Sequence, residues 1–165
     1  YFPLDSNMPA IPRNPYSLSK YATEQMLEYF SKSTGMTCIA IRYPWLLGDY
    51  YLRIGVERGG FERGNCHDGF AYLPVYSGAE AAICALNADI EGYRCFFVAS
   101  KDNLEQRSVS EIVGEQLSGV ELKKPLDELD SLVDTSVVEK ELGWERPQSL
   151  AESLEKYGHL EDVRP

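Results

Sequence analysis

The sequence predicts an α/β protein with a parallel sheet, on the evidence of two adjoining patterns and their repetition. Residues 15–33 carry apolar side chains at helical spacing, and residues 36–42 follow as a continuous run rich in apolar and β-branched side chains. A continuous run directly after a helix is typical of a strand that is covered on both faces. A helix that leads into such a strand indicates a parallel α/β sheet.

The rest of the chain continues this alternation. Gly35 is expected to end the first helix, and Gly143 to end a later one. Capping-box patterns at Ser108 with Glu111 and at Ser149 with Glu152 mark two further helix starts. Between them, we predict strands at 72–76 and 94–99, and helices at 79–86, 108–117, 136–142 and 149–157. The glycine-rich, charged stretch 49–69 is predicted to be a loop, or short helices on a mobile loop.

Composition limits the classes of partner. The 165 residues are 44% hydrophobic, which is enough for one domain with a buried core. With 26 acidic and 16 basic residues, the net charge of −10 argues against binding to nucleic acid or to an anionic membrane. Since no apolar run approaches the roughly 20 residues of a membrane span, we expect a cytoplasmic protein. The opening, Tyr1-Phe2-Pro3, has neither a methionine nor a signal-peptide pattern, so we expect the true start to lie upstream.

Cysteine and histidine spacing predicts no metal site. The four cysteines are scattered, and three lie inside apolar segments where a thiol usually packs, so no disulfide framework is expected. Cys66-His67-Asp68 has no second ligand pair at zinc spacing, and the other histidine is His159. The glycines of 49–69 also form no Gly-x-Gly-x-x-Gly phosphate cradle.

Tyr16 and Lys20 are the strongest candidates for chemistry. Asn14 is a good helix N-cap and Pro15 suits the first helical position, which places both residues in the first turns of the helix. Residues four apart share a helix face, so the Lys20 ammonium can stabilise the Tyr16 phenolate. An adjacent cation lowers the pKa of a tyrosine from about 10 toward the range of a general acid or base. Without such chemistry, the same spacing describes an ordinary solvated helix face.

Four segments carry a family resemblance. Residues 14–25 and 41–48 are similar to a catalytic helix and to the strand and turn that border a nicotinamide. Residues 73–82 are similar to the strand and helix that follow, and 134–150 to a closing segment that includes Glu-Leu-Gly-Trp-Glu-Arg-Pro. Together they resemble the carboxyl-terminal half of an extended short-chain dehydrogenase/reductase of the NAD-dependent epimerase/dehydratase family.

The resemblance implies a fold and a set of site residues. Residues 1–165 would form the carboxyl-terminal half of a doubly wound Rossmann-type fold plus a small substrate-binding subdomain, without the amino-terminal dinucleotide-binding half. Tyr16 would be the general acid/base, and Lys20 would hold the nicotinamide ribose and lower the tyrosine pKa. Tyr43, Pro44 and Trp45 would border the nicotinamide, although Trp45 is equally expected in a core. NAD and NADP stay open, because the residues that distinguish them belong to the other half.

Substrate and partner follow less directly. The family's diphosphate-binding arginine is not matched in residues 68–71, and its paired acidic residues correspond to Tyr76 and Ser77. The substrate therefore stays open between a nucleotide sugar and another small hydroxyl or carbonyl compound. The resemblance also implies a homodimer through the helix that carries Tyr16 and Lys20. The alternative is a non-catalytic remnant that acts as an interaction or oligomerisation module. The helix has an apolar stripe formed by Leu18, Tyr21, Ala22, Met26, Tyr29 and Phe30. We expect Tyr21, Gln25 and Met26 to lie on the outer side of the helix.

Overall fold

The computed structural model describes residues 1–62 and 67–159. Its strands are β1 (Cys38–Arg42), β2 (Trp45–Leu47), β3 (Tyr72–Pro74) and β4 (Tyr93–Phe97). Its helices are α1 (Pro15–Thr34), α2 (Asp49–Arg58), α3 (Val75–Asn87), α4 (Val109–Gln116), α5 (Ser136–Leu142) and α6 (Leu150–Tyr157), with a short 3-10 helix at Leu126–Glu128. None of the helices in the described ranges combines the length and apolar character that a membrane span requires.

The strands pair in parallel, which confirms the predicted α/β class. β1 runs beside β4, with Cys38 opposite Tyr93 and Arg42 opposite Phe97. β2 runs beside β3, with Trp45 opposite Tyr72. In the described residues, each pair is a separate two-stranded sheet. The carboxyl ends of β1 and β4 therefore lie at the same edge, where open α/β folds place their ligands.

Helix α1 begins and ends where its sequence predicts. The Asn14 side chain accepts a hydrogen bond from the Ser17 amide at 2.8 Å, and Pro15 occupies the first turn. At the other end Gly35 has a left-handed φ of 73°, a conformation that glycine adopts without strain. Capping, rather than burial, thus defines the bounds of this helix, because Ser31 is its one buried residue.

The apolar stripe of α1 is not buried against the sheet. Most of its members are exposed, and Tyr21 is half-buried toward β1 rather than on the outer side where we expected it. Gln25 and Met26 are exposed as expected. The exposed members are Leu18, Ala22, Met26, Tyr29 and Phe30. Helix α1 therefore carries two faces: one toward β1, and one fully open.

Residues 49–58 form helix α2, so the first part of the 49–69 stretch follows the short-helix alternative and not the loop. Leu52 and Gly55 are buried on its inner face, where α2 packs against α6. A Cβ on Gly55 would lie 2.8 Å from the Phe61 ring and 3.2 Å from Leu150. Gly55 is therefore a close-packing residue, although a glycine in this setting had indicated a loop. Strand β2 was also missed inside the turn predicted at 43–48.

The closing segment is held to the rest of the chain by a half-buried arginine, Arg146. Arg146 Nε donates to the Ala99 carbonyl at 3.1 Å, and Nη2 donates to Ser100 O at 3.1 Å and to Val133 O at 2.9 Å. The same Nη2 lies 2.9 Å from Ser131 Oγ. Burial lowers the pKa of Arg146. One guanidinium thus joins three stretches of chain that would otherwise leave carbonyl groups without partners.

Candidate active site

Tyr16 and Lys20 lie together on one face of the first turns of α1. The Lys20 Nζ is 5.3 Å from the centre of the Tyr16 ring, a cation–π distance. The Tyr16 side chain is 72% exposed, so its hydroxyl is open to a ligand. The predicted pairing of these two side chains in space is therefore present.

Both residues line a groove between α1 and β1, which we call the α1 groove. Its volume is about 570 Å³, within the range of small-molecule sites. Because α1 leads directly into β1, the two run in opposite directions, and the first turns of α1 lie toward the carboxyl end of β1. Tyr43, which follows β1, lines the same groove. The structure thus brings Tyr16, Lys20 and Tyr43 to one place.

Tyr43 is held by its hydroxyl. The phenol donates to the Gly78 carbonyl of α3 at 3.0 Å, and burial raises the pKa of Tyr43. A Cβ on Gly78 would lie 3.3 Å from the Tyr43 ring, so glycine allows the ring this close approach. The phenol is directed at α3, which leaves the ring itself, 40% exposed, as the surface offered to a ligand.

Pro44 and Trp45 are placed differently from Tyr43. Neither lines the α1 groove. Pro44 is half-buried, and Trp45 begins β2 with its ring 5.7 Å from that of Tyr51 and 5.5 Å from that of Phe61. At 38% exposure, Trp45 is a partly open aromatic surface rather than a core residue.

An ion pair joins α1 to β1, and sequence reasoning missed it. Arg42 Nε donates to Glu24 Oε1 at 2.8 Å and Nη2 donates to Oε2 at 2.7 Å, while Nη1 donates to the Met8 carbonyl at 2.8 Å. Hydrogen bonding to Glu24 raises the pKa of Arg42. No local sequence signal connects the two residues, which lie 18 apart in the chain. We call Glu24 and Arg42 the anchor pair.

The cysteine thiols in the described residues do not gather into a metal-ligand cluster. Cys38 is buried, and Cys84 and Cys95 are half-buried free thiols. Within residues 1–62 and 67–159, no three His, Cys, Asp or Glu side chains gather as metal ligands would. Cys66, which raised the question of a metal in the sequence, lies outside the described residues.

Comparison with known proteins finds a family similarity over the residues that carry the candidate site. Residues 3–58 match the model of the NAD dependent epimerase/dehydratase family. A comparison with curated proteins found no match. Among solved structures, a UDP-galactose 4-epimerase matches at 21% identity with a TM-score of 0.59, over 94% of this chain and 56% of its own.

Two further solved structures share the fold. The UDP-glucose 4-epimerase of the hyperthermophile Thermotoga maritima, solved with UDP-glucose, matches at 25% identity and a TM-score of 0.55, over 90% of this chain and 53% of its own. The uronate dehydrogenase of Agrobacterium tumefaciens matches at 15% identity and a TM-score of 0.52, over 97% of this chain and 45% of its own. The chain therefore spans about half the length of the solved structures it matches.

The family match and the candidate site coincide. The matched residues contain α1 with Tyr16 and Lys20, strand β1, and Tyr43 with the turn that follows it. The parallel α/β fold of the remaining described residues is that of the solved epimerases. Residues 3–58, which carry the candidate site, match the model of the NAD dependent epimerase/dehydratase family, the family that the sequence resemblance named.

Proposed function

We propose that this chain is the catalytic half of an NAD(P)-dependent oxidoreductase of the epimerase/dehydratase type. The observation that carries the proposal is the shared position of Tyr16 and Lys20 in the α1 groove, at the carboxyl end of β1. This is the end of a parallel sheet at which dinucleotides and their substrates bind.

In this proposal Tyr16 is the general acid/base. Its exposed hydroxyl gives a proton to, or takes one from, a hydroxyl or carbonyl oxygen of the substrate. Lys20, beside the ring, favours the charged phenolate when the proton has left. Lys20 would also hold the ribose of the cofactor and Tyr43 would border its nicotinamide, while Pro44 and Trp45, which lie outside the α1 groove, would border the part of the ligand that extends past Tyr43.

The donor set fits one end of a dinucleotide. An ammonium and a phenol in a groove of about 570 Å³ suit a ribose and a nicotinamide ring. The sequence has no Gly-x-Gly-x-x-Gly phosphate turn, so this chain would hold the nicotinamide end alone. When bound, NAD or NADP would supply the hydride chemistry that side chains lack.

The other end of the cofactor would be held by a further half-domain beside β1. Cys38 N donates to Gly92 O at 3.0 Å, and Val98 N donates to Arg42 O, so alternate residues of β1 bond to β4. In a parallel strand, the intervening Ile39 and Ile41 turn their backbone groups to the opposite edge. No strand pairs with that edge in the described residues. We propose that residues 1–165 are the carboxyl-terminal part of a larger sheet that continues there.

The substrate proposed is a nucleotide sugar or another small hydroxyl or carbonyl compound. Two of the similar structures are sugar-nucleotide epimerases, which supports the first. Three side chains support the second, because Phe70, Ala71 and Ser77 are fully buried near the family's diphosphate-contact positions and offer no exposed charge. The free thiols of Cys38, Cys84 and Cys95 are compatible with the cytoplasm, the location we propose.

A homodimer through α1 is the partner proposal. The open stripe includes Leu18 at 56%, Met26 at 58% and Tyr29 at 67% exposure, and contiguous apolar surface of this kind commonly marks an interface. The same stripe supports the alternative function, a non-catalytic module that associates through α1. A turnover measurement distinguishes the enzyme from the non-catalytic module, because the module would have no turnover.

The test uses the polypeptide that joins this chain to the dinucleotide-binding half. Tyr16→Phe should lower turnover by about 10²–10⁴-fold and leave cofactor affinity nearly unchanged, since only the transferable proton is lost. Lys20→Ala should weaken both turnover and cofactor binding, because its ammonium serves the ribose and the phenol. Nicotinamide absorbance reports turnover, and calorimetry reports affinity.

Matched controls come from outside the groove. Tyr1→Phe removes a hydroxyl bonded to Asp5, and Lys32→Ala removes an exposed lysine from the last turn of α1. Neither should change turnover by more than about twofold, on the usual small effect of surface substitutions. A loss below about tenfold for Tyr16→Phe would contradict its role as the general acid/base.

A further inference from the structure

The catalytic end of α1 has little packing to hold it in place. Within the helix only Ser31 is buried, and it lies near the carboxyl end. Tyr16 and Lys20 are exposed in the first turns, where Ser17 is half-buried. Burial of apolar side chains normally fixes a helix on its sheet, yet in the amino-terminal half of α1 no apolar side chain is fully buried and Tyr21 is half-buried. A contact other than apolar burial must therefore contribute to where Tyr16 and Lys20 lie relative to β1.

The anchor pair is that contact. The guanidinium of Arg42 meets the carboxylate of Glu24 through two parallel hydrogen bonds of 2.8 and 2.7 Å. The side chains are 24% and 15% exposed, so the pair is shielded from most solvent. A two-point contact between planar groups restricts rotation as well as distance, which a single hydrogen bond does not.

The pair has the right position along the helix. Glu24 is four residues after Lys20 and eight after Tyr16, so all three lie close to one face. At 1.5 Å per residue, Tyr16 extends about 12 Å past Glu24 along the helix axis. Arg42 is the last residue of β1, so fixing Glu24 on it places Tyr16 beyond the end of the strand, beside Tyr43.

The Arg42 guanidinium also binds the segment that precedes helix α1. Its Nη1 donates to the Met8 carbonyl at 2.8 Å, six residues before the N-cap Asn14. Arg42 therefore joins three stretches: the segment that enters α1, the helix itself, and the strand that leads to Tyr43. Each stretch contributes to the α1 groove.

We propose that Glu24 and Arg42 are positioning residues, which set the rotation and axial placement of α1 and so hold Tyr16 and Lys20 at the carboxyl end of β1. This inference rests on the function proposed for that site, but its structural test does not depend on activity.

The test is amide hydrogen exchange on the 165-residue chain. Glu24→Gln and Arg42→Lys keep the size of each side chain but remove one of the two parallel charge-assisted bonds or weaken it. Each should speed exchange of amides 18–24 by at least about fivefold, the scale of measured pair couplings. Amides in the core whose partners lie away from the anchor pair, such as Ser100 and Leu104, should keep their wild-type rates.

The control is a second ion pair on the same helix. Lys32 Nζ lies 2.6 Å from Glu28 Oε1, but this pair is within α1 and exposed. Glu28→Gln should leave amides 18–24 unchanged. In the Glu24→Gln/Arg42→Lys double variant, exchange should match the worse single variant, because both changes break one interaction.

Three results would overturn the proposal: equal effects in Glu28→Gln, additive effects in the double variant, or equally faster exchange throughout the core. The last would make the pair a general stability element. In the polypeptide with both halves, Glu24→Gln should lower kcat with KM nearly unchanged, since alignment rather than binding is lost. The reversed pair Glu24→Arg/Arg42→Glu should restore part of kcat, and the absence of any restoration would count against positioning. Because amide exchange needs no substrate, the exchange result tests the positioning role whether or not turnover is found.

Discussion

Replacing the half-buried Arg146 with alanine should destabilise the chain more than replacing an exposed arginine such as Arg94. The guanidinium donates to the carbonyls of Ala99, Ser100 and Val133, and it lies 2.9 Å from Ser131 Oγ. These contacts connect the end of the β4 segment with residues 131–133 and with the closing segment. Removing the side chain leaves three carbonyl groups without their donor.

The magnitude follows from these bonds. Hydrogen bonds to a charged group contribute about 1.5–3 kcal/mol each, but desolvation of the guanidinium offsets part of the sum. That desolvation is the cause of the lowered pKa of Arg146. We expect a net loss of about 3–5 kcal/mol, out of a total stability of about 5–15 kcal/mol for a typical domain.

The assay is urea unfolding followed by circular dichroism, with Arg94→Ala as the control. Arg94 is half-exposed and makes one ion pair with Glu141 at 3.3 Å, so its removal should cost no more than about 1 kcal/mol. A loss below about 1 kcal/mol for Arg146→Ala would refute the reasoning, because water would then replace the guanidinium without cost.

Three further predictions concern association, pH and cofactor. Met26→Glu should shift the chain from dimer to monomer in light scattering, since a charge in the open stripe of α1 opposes self-association. The control Glu91→Gln should leave the dimer unchanged. A monomeric wild type would contradict the proposed interface. Burial raises the pKa of the Tyr72 phenol, which is also hydrogen bonded to Asp102, so stability present below the unfolded pKa of about 10 is lost as pH rises above it. Tyr72→Phe should flatten the alkaline fall in unfolding midpoint, and an unchanged fall would show that other groups cause it. Calorimetric titration of the 165-residue chain with NAD and NADP should give no micromolar affinity, because the glycine-rich phosphate turn is not in this sequence. Tight binding of either dinucleotide would contradict the proposal that this chain holds only the nicotinamide end.

Local signals predicted much of the fold. The side-chain caps at Asn14 and Ser108, and the left-handed glycines Gly35 and Gly143, mark helix ends within a residue or two. These signals work because the cap residues satisfy amides and carbonyls that the helix leaves open, which depends on neighbours in sequence alone. Helix α5, predicted at 136–142, has those bounds in the structure.

Signals that depend on distant residues were missed. Helix α2 has glycine and charge like a loop, and its helical state depends on Leu52 and Gly55 packing against α6 about a hundred residues later. Strand β2 has three residues and exists because β3 pairs with it. Tertiary contacts overrode local propensity in both places.

The candidate site divides in the same way. The pairing of Tyr16 with Lys20 is a helical neighbour relation, so spacing predicts it. The outer placement of Tyr21 was wrong, because residue spacing alone does not show which face of a helix lies against a strand. The anchor pair joins residues 18 apart in sequence, and nothing local connects Glu24 with Arg42.

The central claim is that this chain works as one half of a larger parallel sheet, with the site at the junction. Amide exchange at Ile39 and Ile41 tests it most directly, because their backbone groups face the open edge of β1, while Cys38 bonds to Gly92 of the β4 side. In the 165-residue chain we expect fast exchange at Ile39 and Ile41 and slow exchange at Cys38. In the polypeptide that carries both halves, all three should be slow. Fast exchange at Ile39 and Ile41 in that polypeptide would mean that no strand joins β1, and would contradict the account.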